Sequence, residues 1–146
     1  MFQNTVFIVS LPTMKQQKRY RIELRCNFPE WWRYNVEMMG AAFDEEAQRI
    51  GFVTASSRIA EVGSNLTQRP EGVEVPTTLS LTTPPCHHAR LFLYIIPHTL
   101  PAGNQIDESR PFEVTITHYV DGQKSHVEPC TINQWSGASL CLDLKA

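Results

Sequence analysis

Proline placement constrains the fold of this chain more than any other feature of its sequence. The ten prolines leave only one long interval free, between Pro29 and Pro70, in a chain of 146 residues. A proline inside an α-helix removes a backbone hydrogen bond and costs about 3 kcal/mol or more. Long helices are therefore disfavoured outside that interval, and the sequence predicts strands joined by turns.

A strict alternation of apolar and polar residues predicts a strand over residues 19–26. With a period of two, one face of the strand is buried and the other faces water. The predicted buried residues are Tyr20, Ile22, Leu24 and Cys26, and the predicted exposed residues are Arg19, Arg21, Glu23 and Arg25.

A β-hairpin is predicted over residues 112–129, with its turn at Asp121-Gly122. This dipeptide favours a two-residue type I′ turn, because both central residues of that turn require a positive φ. The strand pairs that follow from such a turn are Val120–Gln123, His118–Ser125 and Ile116–Val127. The predicted inward residues are Phe112, Val114, Ile116 and, across the pair, Val127.

Further strands are predicted at 7–11, 31–39, 73–81, 91–96 and 140–144. The segment 91–96 is apolar on both faces, which is typical of a strand covered on both sides. One short helix is predicted near 44–50, with Asp44 as its N-terminal cap and Gly51 at its end.

Short strands at these intervals are typical of a β-sandwich or a β-barrel. The irregular stretches at 54–72 and 97–111 favour the sandwich, because they suit crossovers between two sheets. We therefore predict a mainly β protein, with one antiparallel β-sandwich domain of about seven to nine strands spanning residues 1–146. A domain of this length buries roughly 68–70% of its unfolded surface, so it needs neither metal nor disulfide for its core.

Composition and charge exclude several classes of protein. Hydrophobic residues make up 42% and charged residues 19% of the chain, which is a globular composition. The formal net charge of −2 argues against nucleic acid as a partner. No apolar stretch approaches the length of a membrane span. No basic leader precedes the apolar N-terminus, so no signal peptide is evident and a cytoplasmic location is favoured.

Basic residues are concentrated in the first 40 positions, which carry six lysines and arginines against three glutamates. Arg19, Arg21 and Arg25 share the outward face of the strand at 19–26. Successive same-face residues lie about 6.6–6.8 Å apart, so these guanidinium groups form a continuous stripe. The stripe indicates a contact surface for a protein partner or for a second copy of the chain.

Cys86, His87 and His88 are the strongest metal-ligand candidates, because zinc prefers thiolate and imidazole ligands. A closed zinc site needs four tetrahedral ligands, whereas adjacent histidines on an extended backbone point in opposite directions. We therefore predict no metal and no other cofactor, and four reduced cysteines. One alternative function is that of a metal-dependent hydrolase that uses Cys86, His87 and His88.

Two of the three tryptophans are candidates for ligand contacts. Trp31 and Trp32 are adjacent, so an extended backbone would bury one ring and expose the other. Trp135 follows two amides in a polar turn, where an indole ring need not be buried. Exposed rings stack on sugars or peptides and neighbouring amides orient them. The candidate ligand-binding residues are Trp31, Trp135, Gln134 and Asn133.

No catalytic motif accompanies these features. The sequence contains no G-x-S-x-G nucleophile elbow and no phosphate-binding glycine loop. The leading hypothesis is a non-enzymatic binding or assembly module with a protein partner. A second alternative is a carbohydrate-binding module that uses Trp31 and Trp135. The sequence identifies neither the ligand nor the oligomeric state.

Overall fold

The fold is an antiparallel β-sandwich, as the computed structural model of the chain shows for residues 17–101 and 109–146. Eight strands form two four-stranded sheets, and within these residues a 3-10 turn at Trp31–Arg33 is the one helical element. The strands are β1 (Tyr20–Arg25), β2 (Tyr34–Phe43), β3 (Arg49–Ser57), β4 (Thr78–Thr82), β5 (His88–Pro97), β6 (Phe112–Val120), β7 (Gln123–Ile132) and β8 (Ala138–Lys145). The predicted fold class is therefore confirmed.

The first sheet has the order β4-β1-β6-β7 and the second has the order β3-β2-β5-β8. Alternate residues of both sheets form one hydrophobic core between them, with Ile22, Leu91, Leu93 and Ile116 each at most 1% exposed. Burying a side chain of this size contributes about 1.5–3 kcal/mol. The period of two in β1 is confirmed, because Tyr20, Ile22, Leu24 and Cys26 are all buried.

The predicted hairpin turn is confirmed, but the strand pairing beyond it is shifted. Asp121 and Gly122 have φ values of 50° and 83°, as a type I′ turn requires. A bulge between His118 and Tyr119 then pairs His118 with His126 and Ile116 with Glu128. The predicted pairs His118–Ser125 and Ile116–Val127 are therefore wrong. One extra residue in β7 turns Val127 to the outer face, where it is 46% exposed.

The helix predicted near 44–50 is wrong, because these residues form the turn between β2 and β3. The Asp44 carboxylate accepts hydrogen bonds from the backbone N–H groups of Glu46 and Gln48, both at 2.9 Å. An aspartate that binds its own following backbone in this way competes with helix formation. The strand resumes at Arg49, and Ile50 lies exposed on it.

Three other strand predictions need correction or lie outside the described residues. β5 is central in its sheet, but it is covered on one side only by the described residues, and Phe92 is 38% exposed. The strand predicted at 73–81 begins only at Thr78, after Pro76. The strand predicted at 7–11 falls outside the described residues. No helix in the described part of the chain is long and apolar enough to cross a membrane.

Candidate functional site

One end of the sandwich opens into a cleft of about 730 Å³. The 3-10 turn before β2, the loop at 61–67, the segment 97–101 after β5 and the turn before β8 form its walls. Apolar and polar side chains alternate along the walls, among them Glu30, Trp32, Ser64, Asn65, Leu66, Thr67, Leu100 and Trp135. A cleft of this volume and mixed lining is typical of a small-ligand site.

Trp31 does not belong to the cleft. Residues 31–33 form a 3-10 turn and not an extended strand, so Trp31 and Trp32 are both buried and the predicted alternation is wrong. The Trp31 ring is stacked on Tyr34, with centroids 5.7 Å apart, and meets Phe112 edge-on. Its Nε1 donates to the Pro76 carbonyl at 3.2 Å. Trp31 is a core residue, and Trp32 lines the cleft in its place.

Trp135 lies in the turn before β8, and its partly buried ring lines the cleft. Its Nε1 donates to Ser109 Oγ at 2.8 Å, which fixes the orientation of the ring. The Asn133 side-chain oxygen accepts hydrogen bonds from the backbone N–H groups of Trp135 and Ser136. Asn133 therefore shapes the turn that positions the indole.

Both the oxygen and the nitrogen of the Gln134 side-chain amide are hydrogen-bonded to other residues of the protein. Its Oε1 accepts from the Arg33 guanidinium at 2.7 Å, and its Nε2 donates to the Arg110 carbonyl at 2.7 Å. Its backbone carbonyl accepts from the Tyr34 hydroxyl at 2.9 Å. Of the residues chosen from sequence as ligand contacts, Trp135 is thus the one whose ring faces the cleft, while the two amides hold its surroundings in place.

Arg33 is the buried cation at the floor of this end, and its side chain is 1% exposed. Its Nε donates to Glu30 Oε1 at 2.9 Å, and its other nitrogens reach the Thr99 carbonyl, the Tyr34 hydroxyl and Gln134. Burial raises the pKa of Tyr34 to about 12, although the nearby Arg33 opposes the shift. The sequence analysis missed this role; a lone arginine within the apolar run from Trp31 to Val36 was the available signal.

His98 holds the loop at 61–67 against the end of the second sheet through hydrogen bonds. Its Nε2 lies 2.7 Å from the Trp32 carbonyl, which can only accept, so Nε2 carries the proton and Nδ1 accepts from the Ser64 hydroxyl at 2.8 Å. The His98 carbonyl also accepts from the N–H groups of Gly63 and Ser64. A serine and a histidine in contact resemble a nucleophile and its base. A catalytic pair of this kind needs free backbone N–H groups nearby to stabilise an oxyanion. Here the N–H groups of Gly63 and Ser64 already donate to the His98 carbonyl and hold the loop.

Cys86, His87 and His88 do not converge. Cys86 is fully buried, its Sγ lies 3.7 Å from Thr83 Oγ1, and burial raises the pKa of its thiol. The rings of His87 and His88 contact each other, with Nδ1 atoms 3.0 Å apart, and His88 is stacked on Phe43. Across residues 17–101 and 109–146, no three histidine, cysteine, aspartate or glutamate side chains are placed to hold a metal ion.

The basic stripe lies on the outer face of the first sheet, as predicted, with Arg19 and Arg25 exposed and Arg21 partly buried. Glu23 stands between two of its members, with carboxylate oxygens 3.2 Å from Arg21 and 3.5 Å from Arg25. The Arg21 guanidinium also lies 3.7 Å from the centre of the Tyr119 ring. These contacts lower the positive field of the stripe, whose role in binding a partner stays a prediction.

The comparisons with known proteins identify a fold and no activity. No protein-family model matches the chain, and no curated protein matches its sequence. Among solved structures, the chain is similar to a domain of unknown function, DUF4425, from Bacteroides vulgatus. The two share 10% sequence identity with a TM-score of 0.53, over 90% of this chain and 98% of that one. This likeness supports the β-sandwich architecture alone.

Proposed function

We propose that the protein is a non-enzymatic binding module whose end cleft holds a carbohydrate. The observation that carries the proposal is the position of Trp135, whose ring lines a cleft of about 730 Å³ together with polar side chains. A sugar presents an apolar face, which stacks on an aromatic ring, and hydroxyls, which need hydrogen-bond partners beside that ring.

Polar groups beside the ring suit this ligand class. Asn65 and Thr67 are exposed in the loop at 61–67, and the Glu30 carboxylate is 38% exposed at the foot of the cleft. These side chains supply both donors and acceptors. Glu30 keeps one carboxylate oxygen on Arg33, which leaves the other as an acceptor for a sugar hydroxyl.

Rigidity of the cleft supports binding without chemistry. The ring nitrogens of His98 hold Ser64 and Trp32, the amide of Gln134 holds Arg33, and the indole of Trp135 holds Ser109. A site already ordered before binding loses little conformational entropy when its ligand arrives, which favours affinity. Most glycoside hydrolases use a pair of carboxylates, whereas Glu30 is the single carboxylate among the described residues that line the cleft.

A glycan screen followed by calorimetric titration tests the proposal. Trp135→Ala is expected to weaken binding by roughly thirtyfold, because a central aromatic contact is worth about 2 kcal/mol or more. Trp135→Phe, which keeps a stacking ring, should retain most of the affinity. Val127→Ser, which changes an exposed residue on β7, is the matched control and should bind as the wild type does.

Two results would contradict the proposal. One is a screen in which no glycan binds the wild-type chain, and the other is a bound glycan whose affinity is the same in the Trp135→Ala variant. Binding of a peptide in the cleft, abolished by Trp135→Ala, would keep the binding module and replace the carbohydrate with a protein ligand.

A further inference from the structure

The outer face of the second sheet carries an apolar surface that the core does not use. The strand register places Thr54, Met39, Phe92 and Cys141 side by side across all four strands. The adjacent rows add Phe52 and Ala41 on one side and Tyr94 on the other. We call Met39, Ala41, Phe52, Phe92 and Tyr94 the phenylalanine face.

Both phenylalanine rings of the phenylalanine face are exposed, while Met39, Ala41 and Tyr94 are partly buried. Phe52 is 58% exposed and Phe92 is 38% exposed, while Leu91 and Leu93, its neighbours along β5, point inward and are fully buried. A one-sided antiparallel sheet normally carries polar residues on its outer side. Contiguous exposed apolar surface of this kind marks an interaction site.

The first sheet shows what a solvated outer face looks like in the same molecule. The residues of β1 and β6 that point outward there include Arg21, Glu23, Arg25 and Thr115, and the three charged ones pair with each other. Among the described residues, the strands of the first sheet expose one large hydrophobic side chain, Val127, whereas those of the second sheet expose Ile50, Phe52 and Phe92.

We infer that the phenylalanine face is the contact surface of a homodimer, in which two copies of the chain pack their second sheets face to face. Such a contact is isologous, because the same patch serves both partners. Two sheets stacked in this way lie about 10 Å apart and interdigitate their side chains as the two halves of a sandwich do.

The charges at the border of the face favour a second copy over a charged partner. Arg90 and Asp143 form an ion pair at 3.0 Å on one side, and Arg58 and Glu37 form another on the opposite side. Each charge is thus neutralised within its own chain. Within the rows of the phenylalanine face, two copies can approach without like-charge repulsion, whereas an acidic or basic partner would find no unpaired charge in these two pairs. The exposed cations Arg49 and Lys145 lie beyond the face, in the row of Phe43.

The size of the face fits a weak, reversible dimer. The whole outer side of the second sheet, with four strands about 4.8 Å apart and up to ten residues long, spans about 19 by 34 Å, or about 650 Å² in projection, and the phenylalanine face is part of it. A standard stable interface removes about 800 Å² of surface from each partner. The phenylalanine face lies below that value, so dissociation at low concentration is expected.

Sedimentation velocity of the full chain over a wide concentration range tests the inference. The wild type is expected to shift from monomer to dimer as its concentration rises. Phe52→Ser combined with Phe92→Ser should weaken dimerisation at least roughly tenfold, since both rings lie within the contact. Val127→Ser, an exposed apolar residue on the outer face of the other sheet, is the control and should dimerise normally.

A second measurement separates loss of contact from loss of fold. Cys141 is exposed beside Phe92 in the register, so its reaction with a thiol reagent should slow at dimer-forming concentrations in the wild type and not in the double variant. Circular dichroism of the double variant should match that of the wild type. A chain that is monomeric at every concentration, or a dimer that survives the double substitution, would overturn the inference.

Discussion

The cleft end and the hairpin end of the sandwich are both held by contacts between residues far apart in sequence, but the hairpin end also carries a local cluster of histidines. At the cleft end, hydrogen bonds join residues far apart in sequence: Arg33 bonds to Gln134, 101 positions away, and His98 bonds to the Trp32 carbonyl, 66 positions away. At the hairpin end, the Asp121 carboxylate accepts a hydrogen bond from the Arg19 N–H, 102 positions away, and lies 3.6 Å from Lys18 Nζ. The contacts of the histidines near the turn are local. His118 and His126 pack edge to face, and the ring of His126 lies 3.0 Å from the carboxylate of Glu128.

Hydrogen bonding also differs between the ends. Arg33 and His98 are each 1% exposed, and each makes several hydrogen bonds. His118 Nε2, near the hairpin tip, is buried without a hydrogen bond in the described part of the chain and lies 3.6 Å from Glu128 Oε1. Unsatisfied buried polar groups cost free energy. The buried polar groups of the cleft end are therefore more completely hydrogen-bonded than those of the hairpin end, which suits a preformed binding site.

The largest effect is expected from Gly137→Ala at the cleft end. Gly137 has a φ of 70°, and a Cβ at this position would lie 1.9 Å from the Ile95 carbonyl oxygen. Backbone must move to make room, so we expect a loss of more than about 4 kcal/mol in the free energy of unfolding. Urea denaturation followed by tryptophan fluorescence measures it. A variant within about 1 kcal/mol of the wild type would show that the turn before β8 can shift freely.

A smaller loss is expected from Arg33→Met, also at the cleft end. This change leaves the Gln134 oxygen and the Tyr34 hydroxyl without their buried donor, and we expect a loss of about 2–3 kcal/mol. Thermal denaturation checks it, at about 2–4 °C per kcal/mol for a chain of this size. Arg58→Met removes an exposed arginine that also pairs with a glutamate and serves as the control. Equal melting temperatures for the two variants would show that the buried contacts of Arg33 stabilise the fold no more than an exposed ion pair does.

The smallest effect is expected from Gly122→Val at the hairpin end. Gly122 has a φ of 83°, but nothing lies within 4 Å of a Cβ added there. The cost is backbone strain alone, about 1–2 kcal/mol. Gly122→Asn should cost much less, because asparagine tolerates positive φ. Chemical denaturation of Gly122→Val, Gly122→Asn and Gly137→Ala measures the loss in the free energy of unfolding for each variant. A loss in Gly122→Val as large as that in Gly137→Ala would contradict the expected difference between the two ends.

Local features were predicted well from the sequence. The alternation in β1 correctly placed four buried residues, and Asp121-Gly122 correctly placed a turn, because both signals depend on neighbours in the chain. The bulge between His118 and Tyr119 was missed because no local signal marks which strand carries an extra residue. The helix near 44–50 was wrong because the Asp44 carboxylate can cap either a helix or a turn, and sequence spacing does not distinguish the two.

The candidate site was predicted only in part, for a related reason. The turn that carries Trp135 was correctly located between two strands, since polar residues separate two alternating segments there. Trp135 lines the same cleft as Trp32, Ser64 and Leu100, so the cleft brings together four separate parts of the chain. The expected alternation of Trp31 and Trp32 was wrong, because a single 3-10 turn leaves both adjacent rings buried.

The sequence by itself determined the β class, the inward faces of β1 and β6 and the tight hairpin turn, because backbone geometry and side-chain periodicity act over a few residues. The tertiary structure alone decided which strand ends share the cleft, where the guanidinium of Arg33 finds its acceptors and why β5 exposes Phe92. These outcomes depend on the order of strands in two sheets. That order balances contacts across the whole chain, and no segment of the sequence encodes it locally.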